Sequence, residues 1–456
     1  MNLNAIILAA GEGTRMKSKT PKVLHKVVGK SMLEHVIDAA NEVGCHRNIV
    51  VVGSGREKVE STLANMNLTF VHQEERLGSG HAVMVCDDVI DESEDVLILC
   101  GDTPLIQGKT LQKLIDGHRE NDNACTVLTA ELDDPFGYGR IVRDASGNVL
   151  KIVEQKDADD ATKQIKEINS GIYCFKGGLL KTYLKKIDNN NSQKEYYLTD
   201  MLELLNNAGY SVGTAVVDDF DDLRGVNSRQ QLSESEAIFR KRINDYWMSE
   251  GVTFIDPSHT YIGKEVRIGC DTVLYPGTSL SGNTQIGEDC EIGPNAHLSN
   301  VVIANNVSVK ESTLSDSFVG ERTAVGPYAY VRPGCKIGSD VKIGDFVEVK
   351  NATIGNGTKI SHLTYVGDAE VGARVNLGCG VVFVNYDGKN KFKTVVEDDC
   401  FVGCNVNLIS PVKVGEGAYV AAGSTITKDV PAGALGVARE RQSNIEGWVA
   451  RKGLKK

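Results

Sequence analysis

Three observations in the sequence predict an α/β domain followed by an all-β parallel β-helix. Apolar β-rich runs alternate with helical patterns up to about residue 227, residues 228–250 form one charged helical stretch without Gly or Pro, and from Gly251 aliphatic residues recur every six positions. Alternating strands and helices build a mostly parallel sheet. A sustained short period builds a solenoid whose repeats stack on one another. The expected boundaries are 1–227, a linker helix at 228–250, and 251–456.

A chain of 456 residues exceeds what one hydrophobic core usually serves, in keeping with two domains. With 50 Lys and Arg against 61 Asp and Glu, the net charge of −11 argues against broad nucleic-acid binding, which needs extended basic surfaces. The apolar stretch in MNLNAIILAAGEG is too short for a bilayer span and lacks the basic start of a secretory signal. No membrane association and a cytoplasmic location are expected, with the eleven cysteines reduced. Cys290, Cys335 and Cys400 share a repeat position with Thr and Ala and are expected to be small buried side chains.

In the first domain the expected strands are AIILAA, NIVVVG, LTFVHQ, DVLILCGD, ACTVLTAEL and INSGIYCF. Ligands of such sheets bind at the carboxyl ends of the strands. The segment LAAGEGTRM, residues 8–16, follows the first strand, and its glycines would let backbone N–H groups approach a triphosphate. It is not a dinucleotide fingerprint, which needs a third glycine where Met16 stands, nor a Walker loop, which needs Gly-Lys-Ser/Thr. Arg15 and Lys22 are cations close enough in sequence to neutralise phosphates there. Asp102 ends DVLILCGD, where a carboxylate is well placed to hold Mg²⁺ between phosphates. Each has a plain alternative: a turn glycine, a solvated surface charge, or an aspartate capping the next turn.

In the second domain Ile268, Leu274, Leu280, Ile286, Ile292 and Leu298 hold strict register, as do Val319 to Val349 and Val402 to Ile426, with small slips near Ile354 and Val371. One long interruption, FVNYDGKNKFKT at 383–394, leaves the repeat, and such excursions commonly carry function. Asn385 and Tyr386 lie in it. His362, in ISHLTYVGD, is a candidate base near neutral pH, with Glu348 in GDFVEVK as the carboxylate expected to orient its imidazole. A structural histidine and a solvent-facing glutamate are the alternatives.

The series LAAGEGTRM, PKVLH, QEERLGSGHAV, GDTPL, GYGRIV, IVEQKD, EINSGIY, NNNSQKEYYLTD and RGVNSR, in that order, resembles the sugar nucleotidyltransferases. It is most similar to the bacterial family that joins N-acetylglucosamine-1-phosphate uridylyltransferase to glucosamine-1-phosphate acetyltransferase. The resemblance covers nearly the whole chain. It implies a Rossmann-like first domain and a left-handed β-helix, a hand that periodicity alone does not fix. It also implies that Leu8, Ala9, Ala10, Gly11 and Gln73 hold the nucleotide with Gly78 and Ser79, and that Arg15 and Lys22 address phosphates. Gly139, Glu154 and Asn169 would hold N-acetylglucosamine, and Asp102 and Asn227 would bind Mg²⁺, with UTP as co-substrate. In the β-helix His362 would be the base; Arg332, Lys350, Tyr365 and Asn376 would bind glucosamine-1-phosphate. Cys379, Asn385, Tyr386, Cys404, Ala422 and Arg439 would contact acetyl-CoA. A homotrimer is implied, with the basic C-terminal segment reaching a neighbouring subunit. The chain departs from the family pattern at Ser79, where Thr is usual, at Cys379, where Ala is usual, and at Cys404, where Ser is usual. Two other readings stay open: a nucleotidyltransferase whose β-helix only trimerises or regulates, and a sensor that binds a sugar nucleotide without turnover.

Overall fold

The computed structural model describes residues 2–454. They fall into two compact units, Met1–Phe239 and Arg240–Lys456. The first is built on strands β1 (Leu3–Ala9), β2 (Arg47–Val52), β3 (Leu68–His72), β4 (Asp95–Cys100), β5 (Cys125–Glu131), β6 (Arg140–Arg143), β7 (Val149–Val153), β8 (Glu167–Lys176) and β9 (Val212–Val216). The sheet runs β9-β5-β8-β4-β1-β2-β3, and β6 pairs with both β7 and β8 at its side. β8 is antiparallel to both of its neighbours β4 and β5, while β3, β2, β1 and β4 run parallel.

The near-continuous apolar runs read in the sequence are what a sheet covered on both faces requires. β1 shows the division: Leu3, Ala5, Ile7 and Ala9 enter one buried cluster, and Ile6 enters the cluster on the opposite face. Helix α1 (Met32–Glu42) packs on β1 and begins with a capping box in which Ser31 and Glu34 satisfy each other's backbone N–H. The parallel arrangement puts the residues after β1, β2, β3 and β4 at one edge of the sheet. Gly101 N–H donates to Leu8 O at 3.0 Å and Gln73 N–H to Val52 O at 2.9 Å, so these strand ends lie side by side.

Helix α2 (Arg229–Ser249) follows the expected helical stretch. In its first half Glu236 accepts from Val28 N–H at 2.6 Å and Phe239 lies 4.6 Å from the His35 ring. In its second half Trp247 is buried in the core of the second unit, and Asn244 Nδ2 donates to Pro257 O at 2.9 Å.

The second unit is the expected parallel β-helix. Short strands stack in parallel ladders, so that Leu274 pairs with Ile292, Ile292 with Val309, and Val309 with Val325. Its aliphatic column residues are almost all under 5% exposed and form one continuous core. Cys290, Cys335 and Cys400 are buried in it as expected. Corner residues such as Asp289, Asn306, Asp340 and Asp399 adopt left-handed backbone angles, which Asn and Asp tolerate better than other side chains. The coils are not all equal. Leu274 and Ile292 are 18 residues apart, Ile343 and Ile360 are 17 apart, and Leu377 and Val402 are 25 apart. The last step holds the excursion at 383–394, which is an ordered loop closed by a bridge between Tyr386 and Lys391.

Candidate active sites in each unit

In the first unit the glycine segment, Lys22, Asp102 and Asn227 come together although they are distant in sequence. Gly13, at φ 63°, lies so close to Lys22 that a Cβ would meet the lysine Cβ at 2.5 Å. Lys22 Nζ pairs with the Asp102 carboxylate and donates to Asn227 Oδ1 at 3.0 Å. The segment carrying Asn227 is tied down by Val226 N–H donating to Asp102 O at 2.9 Å. Two oxygen donors thus converge on one cation, here the lysine ammonium. Among the described residues no group of three or more His, Cys, Asp or Glu could hold a metal. A magnesium ion, which keeps waters and phosphate oxygens as ligands, suits a site with a carboxylate and an amide oxygen alone. Arg15 is exposed on the turn Thr14–Met16.

Gln73 is 4% exposed, with its Nε2 3.3 Å from Gly78 O and 3.1 Å from His81 Nδ1. Gly78 has φ 113° and a Cβ there would meet Tyr196 O at 2.5 Å, so this approach of two backbones requires glycine. The Ser79 hydroxyl accepts from Leu198 N–H at 3.1 Å, leaving its own proton to donate. The same Tyr196–Leu198 stretch leads to Thr199, beside Glu154.

Gly139, Glu154 and Asn169 form one cluster. Asn169 N–H donates to Gly139 O at 2.9 Å, and a Cβ on Gly139 would lie 3.5 Å from both the Asn169 Cβ and a Glu154 carboxylate oxygen. Burial raises the Glu154 carboxyl above the usual range; Thr199 pulls it down, and Asp157 and Glu195 push it up. Cys100 Sγ lies 3.5 Å from Gly171 O, which sets this pocket beside the strand end carrying Asp102.

Asp200, half-buried behind Glu154, is raised from its ordinary 3.8 to about 6, first by burial and then by Asp188, Glu203, Glu154 and Asp157. The folded state therefore holds this proton more tightly than the unfolded chain, and stability falls as pH rises from about 4 to about 6. Asp200→Asn is expected to raise the melting temperature at pH 7.5 and to have no effect at pH 3.5, as read by paired thermal melts. Equal shifts at both pH values would refute the assignment.

In the β-helix a repeated hydrogen bond defines one corner. Leu363 N–H donates to Asp345 O at 3.0 Å, Gly380 N–H to His362 O at 3.4 Å, Asn405 N–H to Cys379 O at 2.8 Å and Gly423 N–H to Cys404 O at 2.8 Å. Asp345, His362, Cys379 and Cys404 therefore sit at the same corner of successive coils, with Ala422 next in the series. Asp345 Oδ1 is 2.6 Å from His362 Nδ1, and that bond holds the Asp345 carboxyl below the usual range. The partner expected for the imidazole, Glu348, is elsewhere: it accepts from Arg332 Nη1 at 2.9 Å and is only half-buried. The register explains the correction, because Asp345 pairs with His362 while Glu348 pairs with Tyr365.

Arg332, Lys350 and Tyr365 occupy the adjoining face. Lys350 lies against Lys391 of the excursion, whose ammonium is lowered by that contact. Tyr365 Oη is 3.5 Å from Asn385 Nδ2, which also bonds the Asp368 carboxylate. Asn376 is not on that face; it pairs with Lys359 and Phe401 in the ladder that carries His362. Tyr386 is exposed and donates to Gly388 O at 2.6 Å, and Arg439 is exposed with its Cδ 3.7 Å from where a Gly423 Cβ would be.

Known proteins match both parts of the chain. Residues 4–251 match the nucleotidyl transferase family, and residues 316–351 and 393–428 match the bacterial transferase hexapeptide (six repeats) family. The chain is 56% identical over 456 residues to the bifunctional protein GlmU of Alkaliphilus oremlandii, covering all of both chains. It is 54% identical to the protein of that name from Alkaliphilus metalliredigens, again covering all of both, and 54% identical to that from Clostridioides difficile, covering 100% of this chain and 99% of the relative. The chain belongs to the bifunctional GlmU family.

For this GlmU-family chain the hexapeptide match gives the second unit its left-handed β-helix class. Among the described residues no helix is long and apolar enough to cross a membrane. Sequence reading missed Asp345, Asp368 and Lys391. Asp345 was within reach, since counting one 17-residue coil back from His362 lands on it. Asp368 meets Asn385, and Lys391 meets Lys350, because the excursion folds back on the helix, for which the sequence carries no local signal.

Proposed function

We propose that the chain acetylates glucosamine-1-phosphate with acetyl-CoA in its β-helix and, in its N-terminal domain, transfers UMP from UTP to N-acetylglucosamine-1-phosphate, releasing pyrophosphate. The full-length identity to bifunctional relatives carries this reading, and the presence of both side-chain groupings on one chain supports it. Residues 1–227 are assigned to uridylyl transfer and 251–456 to acetyl transfer, joined by 228–250. The protein acts as a cytoplasmic homotrimer in which the exposed C-terminal segment reaches a neighbouring subunit.

In uridylyl transfer the sugar-phosphate oxygen is already an anion, so the site's work is positioning and charge stabilisation. Leu8, Ala9, Ala10, Gly11, Gln73, Gly78 and Ser79 hold the nucleotide, and Gly139, Glu154 and Asn169 hold the sugar. Arg15 and Lys22 meet phosphate charge. Asp102 and Asn227 would hold Mg²⁺, which would supply Lewis-acid stabilisation of phosphate oxygens. Lys22, whose Nζ rests on the same two oxygens, carries the positive charge that would meet the phosphates.

In acetyl transfer His362, its Nδ1 engaged by Asp345, presents Nε2 to the amine and removes its proton. Arg332, Lys350, Tyr365 and Asn376 bind the amino sugar, with the cations on its phosphate. Cys379, Asn385, Tyr386, Cys404, Ala422 and Arg439 line the acetyl-CoA path. The His362–Asp345 pair favours this over a β-helix that only trimerises, since trimerisation needs no oriented base. The purified protein is tested by following free thiol from acetyl-CoA with glucosamine-1-phosphate; no thiol release beside intact pyrophosphate release would leave the β-helix as a scaffold.

Asp345 is a positioning residue. Asp345→Asn is expected to lower kcat for acetyl transfer about 10- to 100-fold with KM little changed. A variant that keeps the parental kcat, or loses it only together with thermal stability, would reduce the contact to a structural one.

A further inference from the structure

Eleven cysteines are scattered through the chain, yet the structure puts Cys379 and Cys404 in direct register. Leu377 pairs with Val402 and Asn405 N–H donates to Cys379 O at 2.8 Å, so the cysteines stand at one corner on consecutive coils. Adjacent parallel strands lie about 4.8 Å apart, inside the Cα separation of about 4.4–6.8 Å that a disulfide spans. Cys404 is exposed and Cys379 is half-buried, so an oxidant reaches both. The neighbouring Cys400 does not compete: it is 1% exposed and its Sγ donates to Gly415 O at 3.0 Å. Cys270, also exposed, has no cysteine above it and faces Glu288.

We infer that Cys379 and Cys404 form a reversible disulfide that switches off the acetyl-donor face. The inference rests on the reading of that face given above. With hydrogen peroxide as oxidant, one thiolate attacks a peroxide oxygen, giving a sulfenic acid and a hydroxide that takes up the proton released by the thiol to become water. The second thiol displaces a second water, so two thiols and one peroxide yield one disulfide and two waters. A dithiol reductant reverses the step by exchange. The bond ties the corner directly after His362 to the next coil and encloses the excursion with Asn385 and Tyr386. It fixes the turn at Cys404 and removes both thiols from the donor path.

The test uses the full-length protein, treated with hydrogen peroxide and digested with trypsin without reduction. Residues 375–389 and 394–413 are expected as one cross-linked peptide joined through Cys379 and Cys404. Acetyl transfer should fall about tenfold or more, as small misplacements at a reacting centre do, return with dithiothreitol, and leave uridylyl transfer unchanged. Cys379→Ser and Cys404→Ser, each compared with its own reduced rate, should be insensitive to peroxide. Absence of the cross-linked peptide, unchanged acetyl transfer once it has formed, an equal fall in uridylyl transfer, or variants that remain sensitive would each overturn the proposal. A reduced protein that transfers no acetyl would count against the donor reading, and the cross-linked peptide alone would then decide the disulfide.

Discussion

Replacing His362 with Ala is expected to lower acetyl transfer by about 10²- to 10⁴-fold, the usual contribution of a placed general base, while pyrophosphate release in the other reaction stays within experimental scatter of the parent. The size follows from the site. The imidazole is exposed at a corner, so its loss opens no cavity and the core beneath it, Ile360 and Leu377, is untouched. Its neighbour Asp345, held below the usual carboxylate range, is too weak a base to take over the amine proton. The variant should melt with the parent. Retention of more than a tenth of the acetyl-transfer rate would place the base elsewhere.

The second large effect is expected at Asp102. Asp102→Asn should cut uridylyl transfer about 10²- to 10³-fold, comparable to losing one preorganised electrostatic contact, with acetyl transfer unchanged. Two roles for Asp102 can be separated. If it holds Mg²⁺, raising the metal concentration recovers part of the loss and the magnesium requirement of the variant shifts upward. If it serves only to anchor Lys22, whose Nζ it shares with Asn227, the deficit is independent of magnesium. A variant with parental uridylyl transfer at low magnesium would remove Asp102 from the site.

The architecture was legible because it rests on periods. A six-residue aliphatic repeat leaves few alternatives to a stacked solenoid, and β1 and β4 announce themselves as unbroken apolar runs. Contacts across coils depend instead on coil length. A strict 18-residue coil would set Gly344 opposite His362; the slip near Ile354 shortens that coil to 17 and brings Asp345 there. The two carboxylates of GDFVEVK look interchangeable in sequence, but only Asp345 is one coil from His362, and the single missing residue puts it there in place of Gly344. Lys22 with Asn227 is a different case: they lie 205 residues apart and meet only through the order of strands in the sheet. Nothing local in PKVLH or RGVNSR specifies that contact.

The corner that carries His362, Cys379, Cys404 and Ala422 behaves as a ruler. Successive marks are separated by one rise of about 4.8 Å, so His362 and Ala422 stand three marks, or about 14 Å, apart along the axis. A donor that places its reactive end at the histidine and its far end at Ala422 must lie extended along this edge. The length of carrier accepted is then counted in turns of the solenoid rather than moulded by a cavity. Excising one whole coil between the two marks would shorten the gauge by a single division while the remaining coils kept their stacking.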